Sequence, residues 1–214
     1  KRAGEAFIPY PGGCKLGERK YDLHVMVWRQ LGCLVTENED HIHVKGRLKG
    51  GRIVFPISTV GGTENALLCG SVASGRTEIV NAYVTPEIWN LIDLLRLMGA
   101  RISVFGHSRI VVEGIDVLHG AAINVIPDRI EALTWMVFAA ISGGEILVRN
   151  VPFSLMEIPL IHLKEAGVNF LANNDTALVG PRCIPASGIQ PFEVACGAHP
   201  GIISDMQPFM VLLA

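Results

Sequence analysis

With 214 residues, half of them apolar and 18% charged, the chain can bury one large core or two smaller ones. A net charge of −2 without a basic cluster excludes an electrostatic surface for nucleic acid. The longest uncharged interior run, Ala132 to Gly144, is too short to cross a bilayer, and five cysteines without CxxC spacing disfavour a disulfide framework or a zinc knuckle. A cytoplasmic location is the default expectation. The opening at Lys1 and the apolar close at Met210–Ala214 read as the middle of a longer protein.

The first predicted strand is Ala6–Tyr10. About ten residues with three glycines, Cys14 and Arg19 follow it before the helical pattern begins; a long loop on a regular scaffold is a common seat of binding and catalysis. A thiol beside cations is a candidate reactive group, because positive charge favours the thiolate. Gly32, Gly99 and Gly167 each follow an amphipathic stretch and precede an alternating one, as glycines ending helices do. Their spacings of 67 and 68 positions expose an internal repeat. Ser74–Asn81 matches Ser142–Asn150 in the same phase, and Gly51–Phe55 answers Gly120–Val125. One complete unit over 51–114 reads βαβαββ, with strands at Arg52–Phe55, Thr77–Asn81, Arg101–Val104 and Arg109–Glu113. Its helices are predicted at Thr63–Ala73 and Pro86–Met98, the second with Ile88, Leu91, Ile92 and Leu95 on one face. The dinucleotide fingerprint GxGxxG is absent, which weakens a doubly wound alternative.

Pro11-Gly12-Gly13-Cys14 with Gly17, Arg19 and Asp22-Leu23-His24, then Val60–Asn65, Pro86–Ile88, Pro127–Glu131 and Ser204–Gln207, lie in one order along the chain. Through them the sequence resembles the enolpyruvyl transferase superfamily, specifically its UDP-N-acetylglucosamine 1-carboxyvinyltransferase branch. The shikimate-pathway relative fits less well because the Gly-Gly-Cys segment is present. The resemblance implies an α/β (α+β) fold, an inside-out α/β barrel of repeated βαβαββ units in two domains. Residues 1–126 would hold most of the first and 127–214 the opening of the second. It also implies transfer of the enolpyruvyl group of phosphoenolpyruvate to a hydroxyl of a uridine nucleotide with release of phosphate, without metal or organic cofactor. The implied partners are these small molecules, with no nucleic acid and no membrane.

The same resemblance makes Cys14 the general acid at the enolpyruvyl methylene; the bland alternative is a spare surface cysteine. Arg19 would hold phosphate through its fork of donors, or be a solvated charge beside Lys20. Asp22, Leu23 and His24 resemble a uracil-binding segment, although Asp22 also suits a helix N-cap. Thr59, Val60 and Gly61, ahead of a helix, would bring backbone N–H groups to a phosphate or diphosphate. Asp205 resembles the base that accepts the proton of the attacking hydroxyl; a lone aspartate is otherwise a cap or surface charge. Asp128, Arg129 and Glu131 read mainly as a hinge and helix-start cluster. Three positions depart from the branch: Ile57 where a lysine holds the acceptor's diphosphate, Lys20 where proline is usual, and Thr59 where serine is common. All three lie on the acceptor side. They open two alternatives, transfer to uridine monophosphate as in nucleoside-antibiotic biosynthesis and a non-catalytic nucleotide-binding protein on the same scaffold.

Overall fold

A computed structural model describes residues 3–11 and 20–214, which divide into two compact units meeting between Asn124 and Val125. The first contains strand β1 (Glu5–Pro9), helix α1 (Asp22–Gln30), β2 (Leu34–Glu37), β3 (His41–Lys45), β4 (Arg52–Val54), α2 (Val60–Val72), β5 (Arg76–Val80), α3 (Pro86–Leu97), β6 (Arg101–Phe105) and β7 (Arg109–Glu113). The second contains α4 (Arg129–Ser142), β8 (Ile146–Val148), α5 (Glu157–Glu165), β9 (Leu171–Asn173), β10 (Thr176–Val179) and α6 (Gln207–Leu213).

The repeat seen in the sequence becomes a structural module: a strand, a helix, then a hairpin whose returning strand pairs with the first. The three sheets run β1-β3-β2, β4-β5-β7-β6 and β8-β10-β9. Every module pairing is antiparallel, as in Phe7 opposite His43, Glu78 opposite Val111 and Leu178 opposite Leu147. β4 adds to the second sheet in parallel, Ile53 opposite Ile79, and α2 makes the crossover that a parallel pair requires.

Each module turns from helix to hairpin through the same chemistry. Gly32, Gly99 and Gly167 have φ of +88°, +102° and +87°. The glycine N–H bonds back to Arg29, Arg96 or Lys164, and the next N–H reaches the carbonyl of Trp28, Leu95 or Leu163. This Schellman arrangement satisfies the last helical carbonyls and needs a residue tolerant of positive φ. After β5 and β8 the chain leaves through Asn81 (φ +59°) and Asn150 (φ +56°), an equivalent pair. α3 begins where expected, with Thr85 capping the Ile88 N–H and Pro86 in the first turn.

α2 begins at Val60, three residues before the predicted Thr63, so the two glycines lie inside its first turn. The cap is Thr59, and a glycine pair had suggested a loop where the cap already starts the helix. Residues 120–125 form no strand, in contrast to the match with Gly51–Phe55. Ala121 and Ala122 are weak strand formers, and no strand among the described residues pairs with this stretch.

The first core gathers Val27, Leu31, Ile53, Phe55, Leu67, Ile79, Ile88, Ile92, Ile110 and Val112. α2 packs against α1, α3, β5 and β7 and buries Gly62, Thr63, Ala66, Leu67, Gly70 and Ser71, which make up one broad face. Its small residues allow that approach: a Cβ on Gly70 would stand 3.3 Å from the Thr77 Cβ. The second unit closes around Leu133, Met136, Val137, Met156, Leu163, Val179 and Met206. Asp128 starts α4 by accepting from the N–H groups of Ile130 (2.8 Å) and Glu131 (3.2 Å), the helix-start role expected of it.

Candidate functional site

Of the expected binding residues, Lys20, Asp22, Leu23, His24, Thr59, Val60 and Gly61 lie at or beside the N-terminal ends of α1 and α2, which pack together. Thr59 accepts a hydrogen bond from Gly62 N–H at 3.1 Å, and its carbonyl accepts from the Thr63 hydroxyl at 2.6 Å. That hydroxyl in turn accepts from Tyr83 N–H at 3.0 Å. With the Gly62 and Thr63 amides engaged, the amides of Val60 and Gly61 are the ones a helix start leaves without an intrahelical acceptor. Anions favour such a position.

Two glycines there serve different ends. A Cβ on Gly62 would meet Thr59 Cγ2 at 2.4 Å and the Phe55 ring at 3.0 Å, so glycine is required by packing. A Cβ on Gly61 would face the His24 imidazole, 3.4 Å from Nε2 and 3.5 Å from Cε1. The structure therefore brings together His24 and Gly61, which the sequence had offered as separate segments. Asn65 ties the helices further, donating to the His24 carbonyl at 3.4 Å.

Asp22 is the first residue of α1, and Tyr21 holds the cap position without a side-chain bond. The alternative of Asp22 as N-cap is thereby corrected: its carboxylate lies one position too far along to receive the first-turn amides, and instead adds negative charge where the helix dipole favours it. Leu23 is half-buried against the first core. Lys20 and Asp22 are exposed and make no ion pair among the described residues. With Tyr21, Val25, Arg29 and Glu37 they line an open depression of about 330 Å³.

Asp205 belongs to the second unit, in the short 3₁₀ turn Ser204–Met206 ahead of α6. It is exposed, and Ser204 donates to its Oδ1 at 3.4 Å. Cys14 and Arg19 lie outside the described residues. No group of three or more metal-ligating side chains occurs among the described residues, and none of their helices is long and apolar enough to cross a membrane.

Some residues of this region were not anticipated. Asn81, in its left-handed conformation, donates to the Phe55 carbonyl at 2.9 Å and accepts from the Ser58 hydroxyl at 2.9 Å, which shapes the turn leading to Thr59. An asparagine directly after a strand was the available signal. Tyr10 and Tyr21 flank the Cys14 segment with ring centroids 5.3 Å apart. The Tyr21 hydroxyl is pushed up to about 12 by desolvation, with Tyr10 and Glu37 adding to the effect.

Modules of strand, helix and hairpin, with a glycine-rich helix start facing a histidine, define a repeat-built α/β protein. The EPSP synthase (3-phosphoshikimate 1-carboxyvinyltransferase) family profile matches residues 2–213, and the chain belongs to that family. It is 39% identical over its whole length to UDP-N-acetylglucosamine 1-carboxyvinyltransferase of Zymomonas mobilis subsp. mobilis, of which it covers 50%. It is 38% identical, again over its whole length, to the enzyme of the same name from Koribacter versatilis, covering 48% of it. The chain thus spans about half the length of these relatives. Among solved structures, the enolpyruvyl transferase NikO from Streptomyces tendae superposes with a TM-score of 0.75 at 21% identity, over 99% of this chain and 51% of NikO. EPSP synthase from Acinetobacter baumannii gives 0.61, over 83% of this chain and 42% of that one. Both likenesses show the enolpyruvyl transferase fold.

Proposed function

We propose that the chain is part of an enolpyruvyl transferase that moves the enolpyruvyl group of phosphoenolpyruvate to a uridine nucleotide, with UDP-N-acetylglucosamine as the preferred acceptor. The observation that carries this reading is the juxtaposition of His24 with Gly61 at the start of α2, which puts the two segments expected to bind the nucleotide side by side. Identity of 39% to a UDP-N-acetylglucosamine 1-carboxyvinyltransferase along the entire chain supports it. The two units are then most of a first inside-out barrel domain and the opening of a second, working in the cytoplasm.

In this mechanism Cys14 delivers a proton to the methylene carbon of phosphoenolpyruvate, and Asp205 takes the proton of the attacking hydroxyl. A carbon–oxygen bond forms to the acceptor as the methylene becomes a methyl group; in the following elimination the bond to phosphate breaks, phosphate leaves, and one methyl proton is lost to restore the double bond. Arg19 holds the phosphate of phosphoenolpyruvate, the amides of Val60 and Gly61 with the Thr59 cap face the nucleotide's phosphate with Lys20 beside them, and Asp22, Leu23 and His24 meet its base.

A second reading has a specific observation behind it. Ile57, 65% exposed, stands in the turn before α2 where the resemblance expects a lysine. A charge-assisted contact is worth about 1.5–3 kcal/mol, so its loss shifts preference from a diphosphate toward uridine monophosphate by roughly ten- to a hundredfold. Phosphate release from phosphoenolpyruvate, measured side by side with UDP-N-acetylglucosamine and uridine monophosphate, tests both. Turnover of the sugar nucleotide that is lost in Cys14→Ala supports the first reading. Turnover of the monophosphate alone selects the second, and nucleotide binding with no release from either acceptor leaves a binding protein.

A further inference from the structure

We propose that the Tyr21 ring is the platform on which the base of the acceptor nucleotide stacks, in the depression beside the start of α1; this role rests on the nucleotide reading above. Tyr21 holds the cap position of α1, its carbonyl accepting from the His24 and Val25 N–H groups at 2.9 and 3.1 Å, yet its side chain makes no cap bond. Serine, threonine, aspartate or asparagine would satisfy a first-turn amide there. The three longest helices, α2, α3 and α4, are capped in that way by Thr59, Thr85 and Asp128. α5 and α6 start without such a bond behind Met156 and Met206, whose side chains fill the second core instead. Tyr21 belongs to neither core. A position that gives up a local preference without a gain in packing is where a functional use of the side chain is expected.

The ring is both displayed and held. It is half-buried and lines the open depression of about 330 Å³, a size that suits a small molecule. Tyr10 stands against it with ring centroids 5.3 Å apart at 39°. Its hydroxyl donates to Glu37 Oε2 at 3.4 Å, and Glu37 is held through Oε1 by Arg29 at 3.1 Å. An aromatic face fixed in advance loses little freedom when a flat ligand settles on it. Desolvation, with Tyr10 and Glu37 adding to it, pushes the hydroxyl up to about 12, so the ring stays neutral throughout the physiological range. The rim gives the ligand a direction. Arg29 and Glu37 satisfy each other, whereas Asp22 and Lys20 are exposed and make no ion pair among the described residues. A carboxylate can only accept and an ammonium can only donate. Uracil on the Tyr21 ring offers its N3–H to Asp22, and the phosphate that follows the ribose runs toward Lys20.

The test uses the full-length protein as its host makes it. Uridine monophosphate and UDP-N-acetylglucosamine are titrated calorimetrically into the parent, Tyr21→Leu and Tyr21→Phe, two replacements that keep bulk at the position. Tyr21→Leu, which loses the aromatic face, should bind both nucleotides roughly five- to a hundredfold more weakly, the size of one base–aromatic stack. Tyr21→Phe keeps the ring and should recover most of that affinity. In the phosphate-release assay the loss in Tyr21→Leu should fall on the nucleotide KM rather than on kcat or the phosphoenolpyruvate KM, as for a contact made equally in ground and transition states. Affinities of Tyr21→Leu within about twofold of the parent overturn the platform. A loss that Tyr21→Phe shares in full also overturns it, because the hydroxyl tether rather than the ring would then be responsible. If the parent binds neither nucleotide, the nucleotide reading fails and takes the platform with it. If the parent binds but releases no phosphate, only the transferase reading fails, and the titrations still decide the role of Tyr21.

Discussion

Replacing Gly61 by alanine should raise stability and lower nucleotide affinity in the same molecule. Gly61 has no positive φ, so a methyl group brings no backbone strain, and fewer unfolded conformations favour the folded state by about 0.5–1 kcal/mol. For a chain of this size that corresponds to a rise of roughly 1–4 °C in Tm. The new Cβ would meet the His24 ring at 3.4–3.5 Å, ordinary contact that needs no rearrangement. It would also project beside the Val60 and Gly61 amides, against which the nucleotide's phosphate is proposed to lie. Forcing a ligand against one extra methyl costs about 1–3 kcal/mol, or roughly a five- to hundredfold loss of affinity. Calorimetric titration with uridine monophosphate and UDP-N-acetylglucosamine, beside a thermal melt, measures both quantities. A raised Tm with both affinities within about twofold of the parent would refute the placement of the ligand's phosphate against Gly61 at the start of α2.

Alanine at Gly32, Gly99 or Gly167 should destabilise by about 1–2 kcal/mol each, because all three turns need a left-handed residue; denaturant midpoints of the three variants check this, and a neutral substitution would show the turn can be made another way. Thr77→Val should stabilise by about 1 kcal/mol, since the buried Thr77 hydroxyl has no hydrogen-bond partner among the described residues; a lowered Tm would reveal a partner. Burial pushes the Cys69 thiol up to about 11, against an opposing bond from Trp28, so at pH 8 only about one molecule in a thousand carries the thiolate. Iodoacetamide should therefore modify exposed Cys196 well ahead of Cys69, as peptide mapping would record. The sign for stability follows: the unfolded thiol releases its proton from about pH 9 while the folded one holds it to about 11, so this contribution falls as pH rises across that window.

The module was legible because its punctuation is chemical. Only a residue tolerant of positive φ ends those helices well, so Gly32, Gly99 and Gly167 marked the same turn each time. The start of α2 was misplaced because a glycine pair carries the same letters in a loop and in a first turn, and only the Thr59 bond to Gly62 N–H distinguishes them. The nearness of His24 to Gly61 is tertiary, set by how α1 and α2 pack, and no local pattern announces it. The same holds for Tyr10 and Tyr21, whose contact spans the Cys14 segment, and for Asn81, which reaches back to Phe55. The roles of Asp22, Leu23 and Asp205 came from family likeness, because exposed carboxylates and a half-buried leucine have no signature of their own.

The module's strand pairing bears on how the chain acquires its structure. Each module closes within one contiguous stretch, Glu5 meeting Lys45, Arg76 meeting Glu113 and Ile146 meeting Val179. Closure within one stretch means that no module waits for another to complete its own pairing. The addition of β4 beside β5 is a separate step, since it must wait for the α2 crossover to pack. A ribosome releasing this chain from its N-terminus could therefore mature one module while the next is still being made. A lesion confined to one glycine turn would then slow its own stretch and leave the others free to proceed.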